Sequence, residues 1–404
     1  MLQKDFNPVL RFMVVSDVHY PDNDSPEKER MKNAIKYAYE IAESSDTYKK
    51  LDALYVVGDF ATSGSRKQML DFKATLDENL KPETQYVLMM ASHEYHGENG
   101  EEGAIERFTE IYNGMPLDDH KVINGFHFIS LSTTHGCDFD EKKVAYAAAE
   151  LKKAREERPN APIFFFQHPH ITDTVSGSIY WADETLYPLL MNYPQVIDFS
   201  GHSHVPINDP RSIHQKHFTS LGTGSLSYFE LDEFDKCYGT CPPKNHDCAQ
   251  MLIVEADKDG NVRVYPYDVL THSFFPMVWE IDTPWLPETF KYTDARYKST
   301  VTPYFTDDAK ISFSAVDADS FSVTFPQAKI DSEYVNDYVV RVLDEYGTVQ
   351  CKAVWSEYYY TNAAEELMVD FCDLESNKEY TVTVTAKSFW DNASAPIKAT
   401  IKTK

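Results

Sequence analysis

Asp and His stand at five places in the first half of this chain where a strand-sized apolar run gives out: Asp17-Val18-His19, Gly58-Asp59, His93-Glu94, His168, and the pair His202 and His204. Imidazole nitrogens mixed with carboxylate oxygens make a donor set for divalent transition metals. Two such metals side by side activate water and clamp a phosphoryl group for in-line displacement. The chemistry these residue types could do is metal-assisted ester hydrolysis, provided the fold brings the five places together.

The elements that must position them read as alternating strands and helices. Val9–Ser16 is expected as a buried strand, and Ser25-Pro26 as the start of a helix striped by Met31, Ala34, Ile35, Ala38 and Ala42. Strands are expected at Leu51–Val57, Tyr86–Met90, Ile163–Gln167 and Val196–Ser200, with helices at Lys67–Leu80, Ala104–Tyr112, Lys142–Glu157 and around Glu184–Asn192. Asn124-Gly125 predicts a tight hairpin between Lys121–Ile123 and Phe126–Ser132. Such alternation implies a layered α/β domain with mainly parallel strands, whose ligands bind beyond the carboxyl ends of the strands. That rule places Asp17, Asp59, His93, His168 and His202 on one edge.

From about Lys310 the pattern changes to strands and turns alone: Ile311–Ala315, Ser320–Phe325, Tyr338–Leu343, Cys351–Trp355, Glu366–Phe371, Tyr380–Ala386 and Ile397–Lys402. Their polar–apolar alternation predicts an all-β sandwich. The expected organisation is therefore an α/β domain over 1–285, a linker over 286–301 and a sandwich over 302–404.

The bulk composition narrows the partners. The 404 residues carry a formal net charge of −26, with 42% hydrophobic and 25% charged residues. The acidic excess runs through the whole chain and repels nucleic-acid backbones and anionic membranes, so a small phosphate ester is expected as partner and no nucleic acid or membrane. No secretion signal or span of roughly 20 apolar residues is visible, which predicts a cytoplasmic protein unless a leader was trimmed. Cys237, Cys241 and Cys248 with His246 cluster, but their spacing is a weak zinc pattern, and a loop disulfide or plain thiols are expected instead.

In order, Asp17-Val18-His19, Gly58-Asp59, Ala91-Ser92-His93-Glu94, His168 and Gly201-His202-Ser203-His204 resemble the calcineurin-like metallophosphoesterase superfamily over residues 10–210. Leu374 followed by Tyr380 resembles the tyrosine corner of fibronectin type III modules over 302–404. The first resemblance implies a layered metallophosphoesterase sandwich, with β-sheets flanked by helices, ahead of the all-β domain. It implies that Asp17, His19 and His204 hold one metal, that His168 and His202 hold a second, and that Asp59 bridges them. The metals implied are two divalent ions, Mn, Fe, Zn or Ni, acting through a metal-bridging hydroxide on phosphomonoesters or phosphodiesters. His93 is implied as transition-state stabiliser or general acid, its ring oriented by Glu94 or Asp17. Ser92 stands where the family usually has an Asn metal ligand, which weakens the second site.

Other residues were weighed beside these. His96 and His170 are candidates for touching substrate, whereas His214 reads as a surface histidine. Gly222-Thr223-Gly224-Ser225 reads as a turn between strands, lacking the Lys and helix of a phosphate loop. Tyr358-Tyr359-Tyr360 reads as a sandwich face or domain contact, with stacking over the cleft as the alternative. Two other functions remain open: a non-catalytic phosphate-binding or interaction protein, flagged by Ser92, and a nuclease, which the acidic chain disfavours. Phe60-Ala61-Thr62 after Asp59 offers no Tyr ligand, which argues against the purple acid phosphatase variant.

Overall fold

The computed structural model describes residues 1–134, 136–231, 240–331 and 333–404. They divide into two compact units, one made of the described residues up to Thr293 and one running from Asp294 to Lys404.

The first unit stacks two mixed sheets between helices. One sheet runs Ser273–Phe274, Val262–Asp268, Gln250–Asp257, Pro8–Val15, Ala53–Val56, Gln85–Leu88, with Trp279–Ile281 also pairing Val262–Asp268. The other runs Ile213–Gln215, Thr219–Gly222, Val196–Ser200, Ile163–Phe166, Phe126–Leu131, Asp118–Ile123. Pro8–Val15 is buried on both faces from Leu10 onward, and Arg11, the one charged residue in this otherwise apolar run, is paired with Glu255. Leu10, Phe12 and Val14 enter the core between the sheets, while Met13 and Val15 pack beneath the helices. Phe12 meets Phe164 and Phe128 edge-on at 4.9 and 5.1 Å, and Tyr55 stacks on Phe166 at 4.0 Å, so aromatic rings fill that inner layer.

The helices Pro26–Ser44, Arg66–Asn79 and Gly100–Ile111 pack against the first sheet, and Glu141–Glu157 against the second. The helix expected around Glu184–Asn192 is a single turn, Tyr187–Leu190. Pro188 has no N–H to give to a turn begun at Glu184, and the Asp183 carboxylate instead accepts from the Leu186 N–H. Parallel pairing joins the strands that precede the candidate site residues, but antiparallel strands flank both sheets. Those flanks come largely from 213–281, a stretch whose short, fully buried strands show no alternation.

The second unit is a sandwich. Ser312–Ser314, Phe321–Pro326 and Glu366–Phe371 form one sheet, and Gly347–Trp355, Val335–Asp344, Glu379–Ser388 and Ile397–Lys402 the other. Glu379–Ser388 alternates exposed and buried along its length, as one solvated face requires. Tyr380 is buried and its hydroxyl accepts from the Glu375 N–H at 2.9 Å, closing the expected tyrosine corner. Three strands on four with this corner make the unit fibronectin type III-like. Tyr358 and Tyr359 are buried in this unit, Tyr358 edge-on to Phe389 at 4.8 Å. The segment 286–301 carries two short 3₁₀ turns, Pro287–Thr289 and Asp294–Lys298. Among the described residues no helix is long and apolar enough to cross a membrane.

Replacing Tyr380 by Phe removes the acceptor for the Glu375 N–H without opening a cavity. It is expected to cost about 1 kcal/mol, read as a lower denaturant midpoint of the full chain with an unchanged slope.

Candidate metal centre

Five parallel strands end on the same side of the first unit, and each hands the chain to a site residue. Pro8–Val15 leads to Asp17 and His19, Ala53–Val56 to Asp59, Gln85–Leu88 to Ser92 and His93, Ile163–Phe166 to His168, and Val196–Ser200 to His202 and His204. Backbone hydrogen bonds lace these ends together: Asp17 N–H to Gly58 O (3.2 Å), His19 N–H to Asp59 O (3.0 Å) and Gly201 N–H to His168 O (2.9 Å).

Asp17, His19, Asp59, His202 and His204 all adopt left-handed backbone conformations, with φ of 50°, 49°, 48°, 70° and 55°. Non-glycine residues rarely do so, and clusters of them mark functional sites. The turns aim consecutive side chains at one point. Gly58 and Gly201 make room for this. A Cβ on Gly58 would fall 2.5 Å from His168 Nδ1, and one on Gly201 2.6 Å from Asp17 Oδ2. The space a side chain at either position would need is taken by the candidate ligands themselves.

Three groups of donor atoms converge: Asp17, His19 and His204; Asp59, His168 and His202; and His19, Asp59 and His93. The first two are the expected ligand sets, and the third puts Asp59 beside a ligand of the other set. Asp17 Oδ1 lies 3.2 Å from His204 Nε2, Asp59 Oδ2 lies 3.1 Å from His168 Nε2, and the Nε2 atoms of His19 and His204 are 3.3 Å apart.

The tautomers suit a metal. His168 Nδ1 donates to Val57 O at 2.7 Å and His204 Nδ1 to Tyr228 O at 3.0 Å, so both rings turn Nε2 toward the centre. His168 Nε2 is buried and faces Asp59 Oδ2 at 3.1 Å.

The electrostatics agree. Burial opposes ionisation of Asp17 and Asp59, but His204 beside the first and His168 beside the second hold both carboxyls below the usual carboxylate range. Burial likewise opposes charge on His168, yet Asp59 and Asp17 push it up to about 10, and Asp17 raises His204. His19 falls to about 3 and His202 to about 4, through burial first and then the neighbouring imidazoles. The centre thus draws positive charge to its carboxylates and disfavours charge on His19 and His202, and the donor set fits divalent ions.

His93 borders this centre. Its ring meets His19 edge-on at 4.5 Å, and its Nε2 lies 3.9 Å from Asp59 Oδ2. Neither Glu94 nor Asp17 orients it. Its Nδ1 donates to Thr62 O at 2.6 Å. Glu94 is turned inward, accepting from the backbone N–H groups of Asp59, Ala61 and Ala91, because those turns would otherwise leave the donors buried and unpaired. The Ser92 hydroxyl sits 3.3 Å from each carboxylate oxygen of Asp59.

His96 is exposed, 5.3 Å from His93 ring to ring. His170 is corrected: it is buried, with both ring nitrogens engaged by Ser200 Oγ (2.7 Å) and Ser203 Oγ (2.6 Å), so it props the His202 loop and does not face substrate. His214 is buried on Ile213–Gln215, not a surface residue. Gly222–Ser225 closes a strand and then holds the site, Thr223 Oγ1 bonding Ser16 Oγ at 2.7 Å and Ser225 Oγ donating to Asp17 O at 3.1 Å. Cys237 lies outside the described residues, while Cys241 is exposed and Cys248 buried.

Sequence reasoning missed Tyr228, whose ring lies 4.1 Å from that of His204, and Cys137, whose Sγ lies 3.3 Å from His202 Nε2. It also missed Trp181, perpendicular to the His202 ring at 4.9 Å. No local spacing signals these three, since each arrives from a loop remote in sequence.

Residues 10–206 match the family model of the calcineurin-like phosphoesterases. No curated protein matches the sequence. Among solved structures, a purple acid phosphatase, PPD1, isolated from yellow lupin (Lupinus luteus) seeds is similar at 15% identity and a TM-score of 0.47, over 67% of this chain. The likeness spans only 53% of the lupin chain. PhoD is similar at 12% identity and a TM-score of 0.40, over 70% of this chain and 73% of its own. The fn3 domain of human collagen alpha-1(XX) matches 24% of this chain and 82% of its own at 20% identity and a TM-score of 0.18.

Gly201→Ala is expected to displace Asp17 and lower metal content to well under that of the unaltered protein, read by elemental analysis per chain, while the helical content by circular dichroism stays the same.

Proposed function

We propose that this chain hydrolyses small phosphate esters at the centre formed by Asp17, His19, Asp59, His168, His202 and His204. The observation that carries the reading is the pair of buried donor sets, Asp17–His19–His204 and Asp59–His168–His202, meeting at strand ends with Asp59 next to both. Asp17, His19 and His204 would hold one divalent ion, His168 and His202 the other, and Asp59 would serve both. When bound, two such ions supply Lewis acidity toward a phosphate ester and a nucleophilic water. Mn, Fe, Zn and Ni all suit the mixed nitrogen and oxygen donors.

The protein's own part is positioning and proton transfer. The carbonyls of Val57 and Tyr228 hold two ligand rings in register. Thr62 O fixes His93 through Nδ1, which leaves its Nε2 at the partly exposed rim, where the imidazolium form would give its second proton to a departing ester oxygen and become neutral. Ser92, with its hydroxyl on Asp59, would hold that carboxylate rather than reach a metal as the longer Asn does. The net charge of −26 supports monomeric esters over a long polynucleotide.

The deciding experiment loads the purified chain with Mn and measures metal per chain beside hydrolysis of aryl phosphomonoesters and phosphodiesters. Two metals with turnover support the proposal. Metal uptake with no turnover on either ester class would instead favour a phosphate-binding protein. Asp59→Asn is expected to lower turnover by at least roughly a hundredfold together with metal content. His93→Ala is expected to keep the metals and lower kcat by about 10²–10⁴-fold; an unchanged kcat would remove it from the proton-transfer role.

A further inference from the structure

Beside the His202 edge of the centre lies an apolar tip of unusual exposure. Ile179 is 86% exposed, Tyr180 60% and Trp181 39%, three consecutive large apolar side chains left at the surface. Trp181 is anchored. Its carbonyl accepts from the His170 N–H at 3.0 Å, its own N–H donates to Gly177 O at 2.9 Å, and the following residues Ala182–Asp183 pair in parallel with His170–Ile171. Its ring stands at 90° to that of the ligand candidate His202, 4.9 Å away. With its backbone so held, the indole touches a candidate ligand and is 39% exposed, so it borders the place where a phosphoryl group would bind.

We propose that Trp181, extended by Tyr180 and Ile179, receives the organic part of the substrate, and that this part carries a planar ring, as an aryl or nucleoside phosphate ester does. The inference rests on the phosphate-binding reading of the same centre. A fixed aromatic face gains most from a flat partner, because stacking is favourable with any ring and costs little ordering. A compact polyol would leave the apolar tip bare and keep its own hydroxyls unpaired against it. His93 stands at the His19 side of the centre and Trp181 at the His202 side, so an ester bound between them has a proton donor and an apolar wall.

Binding of two phosphonates to the Mn-loaded full chain tests this without requiring turnover. Phenylphosphonate and methylphosphonate share the charged head and differ in the ring. Calorimetric titration is expected to show phenylphosphonate bound roughly tenfold more tightly. That preference should collapse toward one in Trp181→Leu, which keeps an apolar side chain but no ring, and persist in Trp181→Phe. No ring preference in the unaltered chain, or a preference that survives Trp181→Leu, would overturn the proposal. Ring preference with no hydrolysis of aryl esters would leave it standing and count against the hydrolase reading alone.

Discussion

Two carboxylates cut off from water, Asp17 at 0% and Asp59 at 2% exposure, set the terms for this protein. Ionised and unpaired, each would be costly to bury, so positive charge has to meet them where they sit. Everything within reach is arranged to that end. Imidazoles face both, the His202 N–H donates to Asp17 at 3.1 Å, and the His93 N–H donates to Asp59 at 3.0 Å. Cations and protons compete for the same place, and the raised His168 and His204 are the protein's share of that competition.

Bringing those groups together requires backbone that would not persist alone. Five site residues in the left-handed region represent strain on the order of 1–3 kcal/mol apiece. The two sheets hold it in place: their aromatic core anchors the strands, and the turns beyond them are tied by Glu94, Thr223 and Ser225. Arg30 adds a further tie, its guanidinium donating to Leu226 O and Ser227 O and so fixing the turn that offers Tyr228 O to His204. Rigid strands thus carry a site built wholly from loops, the usual division between scaffold and chemistry.

The surface field works in the opposite direction from the centre. A chain of net charge −26 repels extended polyanions, while a dication pair at the strand ends would draw a single phosphate group inward. On the proposed reading, selection for small esters would come from the balance of a long-range repulsion and a short-range attraction, and the apolar tip at Ile179–Trp181 would add a contact that is indifferent to charge.

The residue types and their order along the chain determined the convergence of Asp17, His19, Asp59, His168, His202 and His204 as candidate metal ligands, because strand ends in a parallel α/β layer can only converge on one edge. The sandwich was equally legible, since a period of two leaves its mark on every strand with one wet face. Tertiary structure alone decided the rest. Fully buried strands such as Gln250–Asp257 show no period, so their return to the first sheet is invisible locally. That Thr62 O and not a carboxylate orients His93, that His170 is a prop, and that Trp181 and Cys137 border His202 all depend on contacts between segments remote in sequence. Local spacing records which face a side chain takes, and only packing records what it meets there.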